Sequence, residues 1–133
     1  MKLAYPACFY KNGETGAYAV EVPDLPGCAT GGGDLPEAVL MGVDAASGWI
    51  LGELEEGNAV PEPSPVESIV PDGGGFVDML ALDIDAFAKK HGAGMVEKSV
   101  RIPVWLSTYV DARSLDLSAL IQESLSSGRP PLA

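Results

Sequence analysis

The side chains that could do chemistry in this chain of 133 residues include one histidine, two cysteines and 19 acidic residues. A lone His91 argues against a His-based metal site and against a Ser-His-Asp triad. Cys8 and Cys28 have no basic residue or histidine beside them, which favours roles as small buried hydrophobic residues over nucleophilic ones. Carboxylates could hold two metal ions for nuclease chemistry, but no spacing singles out a cluster. The sequence therefore predicts a non-enzyme that needs no metal and no cofactor.

The charges are distributed unevenly along the chain, whose net charge is −11. Residues 1–88 contain two basic and fifteen acidic residues, a net charge of −13, whereas residues 89–133 contain six basic and four acidic residues, a net charge of +2. This asymmetry indicates two modules with different partners, an acidic one suited to a basic protein and a mildly basic one that tolerates phosphate. Solubility alone would also explain the acidic half.

Composition favours a globular, cytoplasmic protein. The hydrophobic fraction of 47% is too high for a disordered chain. The longest apolar-rich run, residues 38–51, is shorter than the ~20 residues that span a bilayer, and the first residues do not resemble a secretion signal. Two cysteines in such a chain predict a reduced protein without a disulfide framework.

The front of the sequence predicts a β-meander followed by a helix. Three strands are expected, at residues 3–10, 17–22 and 28–30. Asn12-Gly13 favours a hairpin turn, because both residues tolerate positive φ, and Pro6 requires an edge or a ladder site that needs no donor. Asp34 is expected to cap a helix that Gly57 ends. The apolar stripe of this helix comprises Val39, Val43, Ala46, Ile50 and Leu54.

The middle of the sequence predicts a stiff connector and a second pair of strands. Pro61, Pro63 and Pro65 favour an extended segment. Strands are then expected at residues 68–70 and 76–84, joined by a hairpin turn at the three glycines 73–75, and a short helix at residues 83–90. The glycine-rich stretch 91–94 predicts a boundary between a domain of residues 1–91 and a domain of residues 95–133.

The tail predicts one strand and two short helices. Lys98 to Ile102 alternate as in a strand, and Pro103 can open a helix. Ser118 is expected to cap a second helix. A strand and two helices within about forty residues cannot bury a core of their own. The tail therefore needs a partner, most simply a second copy that pairs strand to strand.

This tail resembles a ribbon-helix-helix DNA-binding domain, most specifically over residues 100–106 and 117–121. The resemblance implies a two-stranded ribbon in the DNA major groove, with Ser99 and Arg101 facing the bases and Lys98 beside them on the inward register. It also implies that the N–H groups of Ser118 and Ala119 hold a phosphate. The neighbouring Glu97 departs from the pattern and would repel phosphate.

The front half is similar to the HicB antitoxin family. The similarity rests on Tyr5–Phe9, on the turn Val22–Cys28 with the sequence VPDLPGC, and on a helix opened by Leu35–Ala38. It implies an α+β protein with a partial ribonuclease H-like N-terminal domain that binds and occludes a small basic HicA toxin, an RNA-cleaving enzyme. It also implies a tail that represses the shared operon. Asp24 and Pro26 are candidate toxin contacts, with a purely structural role as the alternative.

Two other functions remain open from the residues. The chain could be a stand-alone ribbon-helix-helix transcription regulator whose N-terminal domain senses a small ligand or oligomerises. It could also be an adaptor without a DNA target. The antitoxin hypothesis predicts three partners: a HicA-like toxin, operator DNA and a second copy of the chain, as a homodimer or a dimer of dimers, with no membrane association.

Overall fold

The computed structural model describes residues 1–127, which form a mixed α+β fold with a four-stranded antiparallel sheet. The elements, in chain order, are β1 Lys2–Lys11, β2 Tyr18–Glu21, β3 Ala29–Gly32, α1 Leu35–Glu55, a 3-10 turn Val66–Ser68, β4 Phe76–Asp83, α2 Ile84–His91, α3 Val104–Ala112 and α4 Leu117–Ser126. The strand order in the sheet is β3-β2-β1-β4. No helix within residues 1–127 is long and apolar enough to cross a membrane.

Strand β1 organises the sheet because it pairs with both β2 and β4. Its partners in β4 extend from Lys2 to Phe9, whereas its partners in β2 begin only at Cys8. Pro6 pairs with Met79 of β4 and lies beyond the end of β2, so it has a partner strand on only one side. A residue without an N–H is tolerated at such a site, as the sequence predicted.

Helix α1 covers one face of the sheet, and its ends agree with the prediction. The Asp34 carboxylate accepts a hydrogen bond from the Glu37 N–H at 2.9 Å, and Gly57 follows the helix with φ +81°. The predicted stripe packs against the core: Ala46 and Ile50 are buried, and Val39, Val43 and Leu54 are half-buried against it. Ala38, Gly42 and Ser47 are buried as well. Small residues occupy the centre of the contact because the helix lies very close to the sheet.

One closed core lies between α1 and the sheet. Its largest fully buried side chains are Tyr5, Phe9, Val20, Leu25, Ile50, Val60 and Leu80. Cys8 and Cys28 are buried and reduced, which confirms the prediction that they act as small apolar residues. Burial raises the pKa of the Cys28 thiol, so this side chain is a poor nucleophile.

Two turns differ from the prediction. The loop after β1 is closed by the Asn12 N–H, which donates to the Ala17 carbonyl at 2.8 Å, and the positive φ falls on Gly16 rather than Gly13. The predicted strand at residues 68–70 is wrong, because this region forms the 3-10 turn Val66–Ser68 and then irregular chain. The glycines 73–75 do form a turn, but it leads into β4 without joining two strands.

Helix α2 agrees with the prediction and ends in a close backbone contact. Asp83 caps it by accepting from the Ala86 N–H at 3.2 Å. The Gly92 N–H donates to the Ala88 carbonyl at 2.7 Å, and a Cβ at Gly92 would lie only 2.6 Å from that oxygen. The exposed His91 packs against Phe87, with ring centroids 4.5 Å apart.

The segment that follows α2 has no regular structure from residue 93 to residue 103. The predicted strand at residues 98–102 is therefore absent in the single chain, since a strand needs a partner backbone and one copy supplies none. The helix that begins after Pro103 is confirmed. The division into domains 1–91 and 95–133 stays a prediction, and residues 128–133 of the second lie outside the described residues.

Candidate partner-binding surfaces

The turn between β2 and β3 is fixed to the proline-rich connector through Asp24. Both carboxylate oxygens accept hydrogen bonds from Ser64, Oδ2 from its N–H at 2.9 Å and Oδ1 from its hydroxyl at 2.5 Å. The two residues are 40 positions apart in the sequence. The carboxylate is half-buried and engaged within the chain, which supports the structural role considered for Asp24.

Two further hydrogen bonds lock the same region. The Pro26 carbonyl accepts from the Trp49 indole N–H at 3.0 Å, so the turn is tied to α1, while the Pro26 ring is exposed. The buried Tyr5 hydroxyl donates to the Pro61 carbonyl at 2.6 Å. Burial, with a smaller contribution from the negative Asp24, raises the pKa of Tyr5 to about 12. The neutral phenol therefore persists well above physiological pH and holds the connector in place.

The solvent-facing side of α1 presents apolar side chains that the sequence analysis did not single out. Leu40 is 70% exposed and Met41 is 42% exposed. Glu37 and Asp44 are exposed on the same side of the helix. The signal that could have revealed this surface is simple: two large apolar residues stand outside the predicted stripe, where a surface helix normally carries polar residues.

The tail exposes most of its large apolar residues. None of residues 93–127 is buried. The large apolar side chains that stay exposed are Met95, Val96, Val100, Ile102, Val104, Trp105, Tyr109, Leu115, Leu120, Ile121 and Leu125. A cleft of about 1440 Å³ lies among side chains of α4, α2 and the start of β1. Exposed apolar surface on this scale indicates an interaction site.

The predicted DNA-contacting residues fall in two places. Lys98, Ser99 and Arg101 are exposed in the irregular segment before α3. Ser118 and Ala119 lie in the first turn of α4, and the prediction that Ser118 caps this helix is wrong.

Asp116 caps α4 instead of Ser118. Its carboxylate accepts from the Ala119 N–H at 3.1 Å. The N–H that was expected to hold a phosphate is thus already bonded to an internal anion. A phosphate could bind there only by displacing the carboxylate, so anchoring by Ala119 is disfavoured.

Across residues 1–127, no group of three or more His, Cys, Asp or Glu side chains is arranged to hold a metal ion. Two surfaces stand out in the described part of the molecule: an acidic front with one partly apolar helix face, and a tail with an exposed apolar side.

The comparisons with known proteins agree with the resemblance noted in the front half. Residues 5–126 match the family described as HicB-like antitoxin of bacterial toxin-antitoxin system. An uncharacterized 14.9 kDa protein from the rep-hol intergenic region of Haemophilus phage HP1 is 33% identical over 112 residues, which cover 82% of this chain and 80% of that protein.

Solved structures share the fold. A toxin-antitoxin complex from Streptococcus pneumoniae contains a chain with a TM-score of 0.62 and 23% identity, over 97% of this chain and 100% of that one. The antitoxin HicB of Burkholderia pseudomallei gives a TM-score of 0.57 and 22% identity, over 93% of this chain and 96% of that one. The family match spans nearly the whole chain, and this protein belongs to the HicB-like antitoxin family of bacterial toxin-antitoxin systems.

Proposed function

We propose that this antitoxin binds and occludes a HicA-type RNA-cleaving toxin with its acidic N-terminal unit, residues 1–91, and represses its own operon with a dimeric C-terminal module, residues 95–133. Family membership supports the first part, together with the relatives that were solved as toxin-antitoxin complexes, one of them a HicA3 and HicB3 complex. The chain itself acts without catalysis and without a cofactor, inside the cell where the toxin's RNA substrates are.

Electrostatics supports toxin binding by the front unit. Residues 1–88 carry a net charge of −13. A nuclease that binds RNA needs a cationic surface to hold the phosphates. An anionic partner of complementary shape would cover that surface and raise the rate of association. On this proposal the sheet and α1 form a partial ribonuclease H-like scaffold whose role is to present the acidic surface, and the bonds of Asp24 and Pro26 keep that scaffold rigid.

The observation that carries the second part is the exposure of the tail. The side chains that alternate before α3, such as Val100 and Ile102, and those along α4, such as Leu120 and Leu125, are exposed in a single chain. A second copy would allow residues 98–102 of each chain to pair as a two-stranded ribbon and would cover these side chains. The arrangement is the ribbon-helix-helix module, as one dimer or as a dimer of dimers.

Such a ribbon fits the DNA major groove. Arg101 is the side chain best suited to recognise a base, because its guanidinium can donate two hydrogen bonds to the O6 and N7 acceptors of guanine. Ser99 shares the outward face, and Lys98 and Ser118 supply secondary contacts. The acidic Glu97 lies beside them, so a single dimer binds DNA weakly and with strong salt dependence.

The experiment separates the two activities in the full chain. Arg101→Ala is expected to weaken binding to the promoter DNA of its own operon by about 1–3 kcal/mol, as measured by fluorescence anisotropy at fixed salt. Inhibition of RNA cleavage by the neighbouring toxin should stay unchanged. Arg113→Ala is the matched control, because this guanidinium follows the end of α3 and lies 3.8 Å from the ring centroid of Tyr109 in the same helix.

Several outcomes would contradict the proposal. Equal loss of both activities in Arg101→Ala would mean that the two modules are not separable. A chain truncated after Gly94 should still neutralise the toxin, and its failure to do so would refute toxin binding by the front unit alone. A promoter that is bound without any toxin gene beside it would favour the stand-alone regulator.

A further inference from the structure

The first half of α1 has a solvent-facing side of mixed character. Leu40 and Met41 are 70% and 42% exposed, and Glu37 and Asp44 are exposed beside them. Spacings of three and four residues place these four side chains on one side of the helix. Leu40 and Met41 are consecutive, so their side chains point about 100° apart around the helix, and Glu37 and Asp44 lie about one turn before and after them.

The packing of α1 prevents these side chains from turning inward. A Cβ at Gly42 would lie 3.2 Å from Leu80 Cδ1 and 3.3 Å from Val20 Cγ1. The helix therefore rests on the sheet at Gly42, and both neighbours in that contact are fully buried. Any roll that buried Leu40 would force a bulkier residue into this contact. The contact at Gly42 thus keeps Leu40 and Met41 on the solvent-facing side of α1.

The charge around this area is of one sign. Helix α1 has four acidic residues among its 21 and no basic residue. The only ion pair found within residues 1–127 joins the Met1 amino group to Asp85, so Glu37 and Asp44 have no cationic partner there. An apolar centre with an acidic rim has the anatomy of a protein interface and complements a cationic surface.

We propose that the α1 face formed by Glu37, Leu40, Met41 and Asp44 docks the cationic, RNA-binding surface of the toxin. The inference rests on the proposed function and locates it on the molecule. On this proposal Leu40 and Met41 supply the apolar centre of the contact, and the two carboxylates meet basic groups of the toxin. A helix presents these groups already ordered, so binding loses little conformational entropy.

The main test introduces an arginine at either of two exposed apolar positions in the full chain. Leu40→Arg places a positive charge in the proposed contact, whereas Val70→Arg places it at an 84% exposed apolar residue in the irregular segment before β4. Binding to the toxin encoded beside the gene is measured by calorimetry. Leu40→Arg should raise the Kd by about thirtyfold or more, and Val70→Arg by less than about threefold. Thermal unfolding checks that both variants fold.

A second comparison tests the acidic rim. The double variant Glu37→Gln/Asp44→Asn should reduce the association rate at low salt by about three- to tenfold, and the difference from the unmodified chain should shrink as salt is added. The matched control is Glu14→Gln/Glu67→Gln, which removes two exposed carboxylates elsewhere on the front unit. An equal reduction in both double variants would show that only the overall charge matters and would overturn the specific site.

The outcomes distinguish the site from the function. If the unmodified chain does not bind the toxin, the proposed function fails. If it binds but Leu40→Arg and Val70→Arg weaken binding equally, the α1 face is not the docking site. If Leu40→Arg instead changes the number of copies in the free antitoxin's assembly, as measured by light scattering, this face contacts a second copy. That result would also overturn the inference.

Discussion

The front and the tail of this antitoxin differ in how far they bury their apolar side chains. In residues 1–92, side chains such as Tyr5, Ile50 and Leu80 are almost completely buried between α1 and the sheet. In residues 93–127, Trp105 is 69% exposed and no residue is buried. The difference shows which part of the chain buries a core with its own contacts and which part leaves its apolar side chains exposed.

Hydrogen bonds show the same contrast. In the front unit they join distant positions, as between Ser64 and Asp24 or between Tyr5 and Pro61. The side-chain bonds of α3 and α4 are mostly local, as from the Thr108 hydroxyl to the Val104 carbonyl four residues earlier, with Ser126 of α4 also reaching Asp85 of α2. Long-range bonds form together with a core and add to its cooperativity, whereas local bonds stabilise a helix without fixing its surroundings.

The largest expected effect is a substitution in the core of the front unit. Ile50→Ala should lower the free energy of unfolding by about 2–5 kcal/mol, because the side chain is fully buried and its removal leaves a cavity. Urea unfolding at two protein concentrations measures it, and the loss should not depend on concentration. A loss below about 1 kcal/mol would show that the front unit does not depend on this core.

The same substitution in the tail should act on association instead. Ile121→Ala removes a side chain on the exposed apolar side of α4. Light scattering and dilution experiments should show the Kd of the dimer rising by about tenfold or more, with little change in the unfolding of the front unit. An unmodified chain that stays monomeric at micromolar concentration would contradict the dimer itself.

The smallest effect concerns two glycines of α1. Gly52→Ala should raise the stability of the front unit by about 0.5–1 kcal/mol, because no atom lies within 4 Å of the new Cβ and alanine favours the helix. Gly42→Ala should lower it by about 1 kcal/mol, since its Cβ would crowd Leu80 and Val20. Calorimetric melting of both variants is the measurement. Similar effects at the two positions would mean that α1 is not held close to the sheet at Gly42.

The local features of this fold could be predicted from the sequence. Asp34 caps α1 as expected, since a cap depends on residues within one turn. At α4 two good capping residues stand two positions apart, and the sequence alone favoured Ser118 where the structure uses Asp116. The choice depends on where the preceding turn ends, which a local pattern does not specify.

Features that depend on distant residues could not be predicted. The bond between Asp24 and Ser64 joins positions 40 residues apart, and the close approach at Gly42 depends on side chains from two different strands. The strand expected at residues 98–102 does not form in the single chain, which offers it no neighbouring strand. The exposed apolar residues of α1 were missed because an apolar stripe identifies what a chain buries, not which other apolar side chains it leaves exposed.

The link at the end of α2 has a consequence for how the molecule can approach DNA. Six residues, 92–97, lie between the end of α2 and the proposed ribbon strand at residues 98–102, and they span roughly 20 Å at most. If the tail binds DNA as proposed, the front unit with its excess of negative charge would lie within roughly two Debye lengths of the duplex at 0.1 M salt. Repulsion between its carboxylates and the phosphates would then reduce DNA affinity, and added salt would weaken this repulsion.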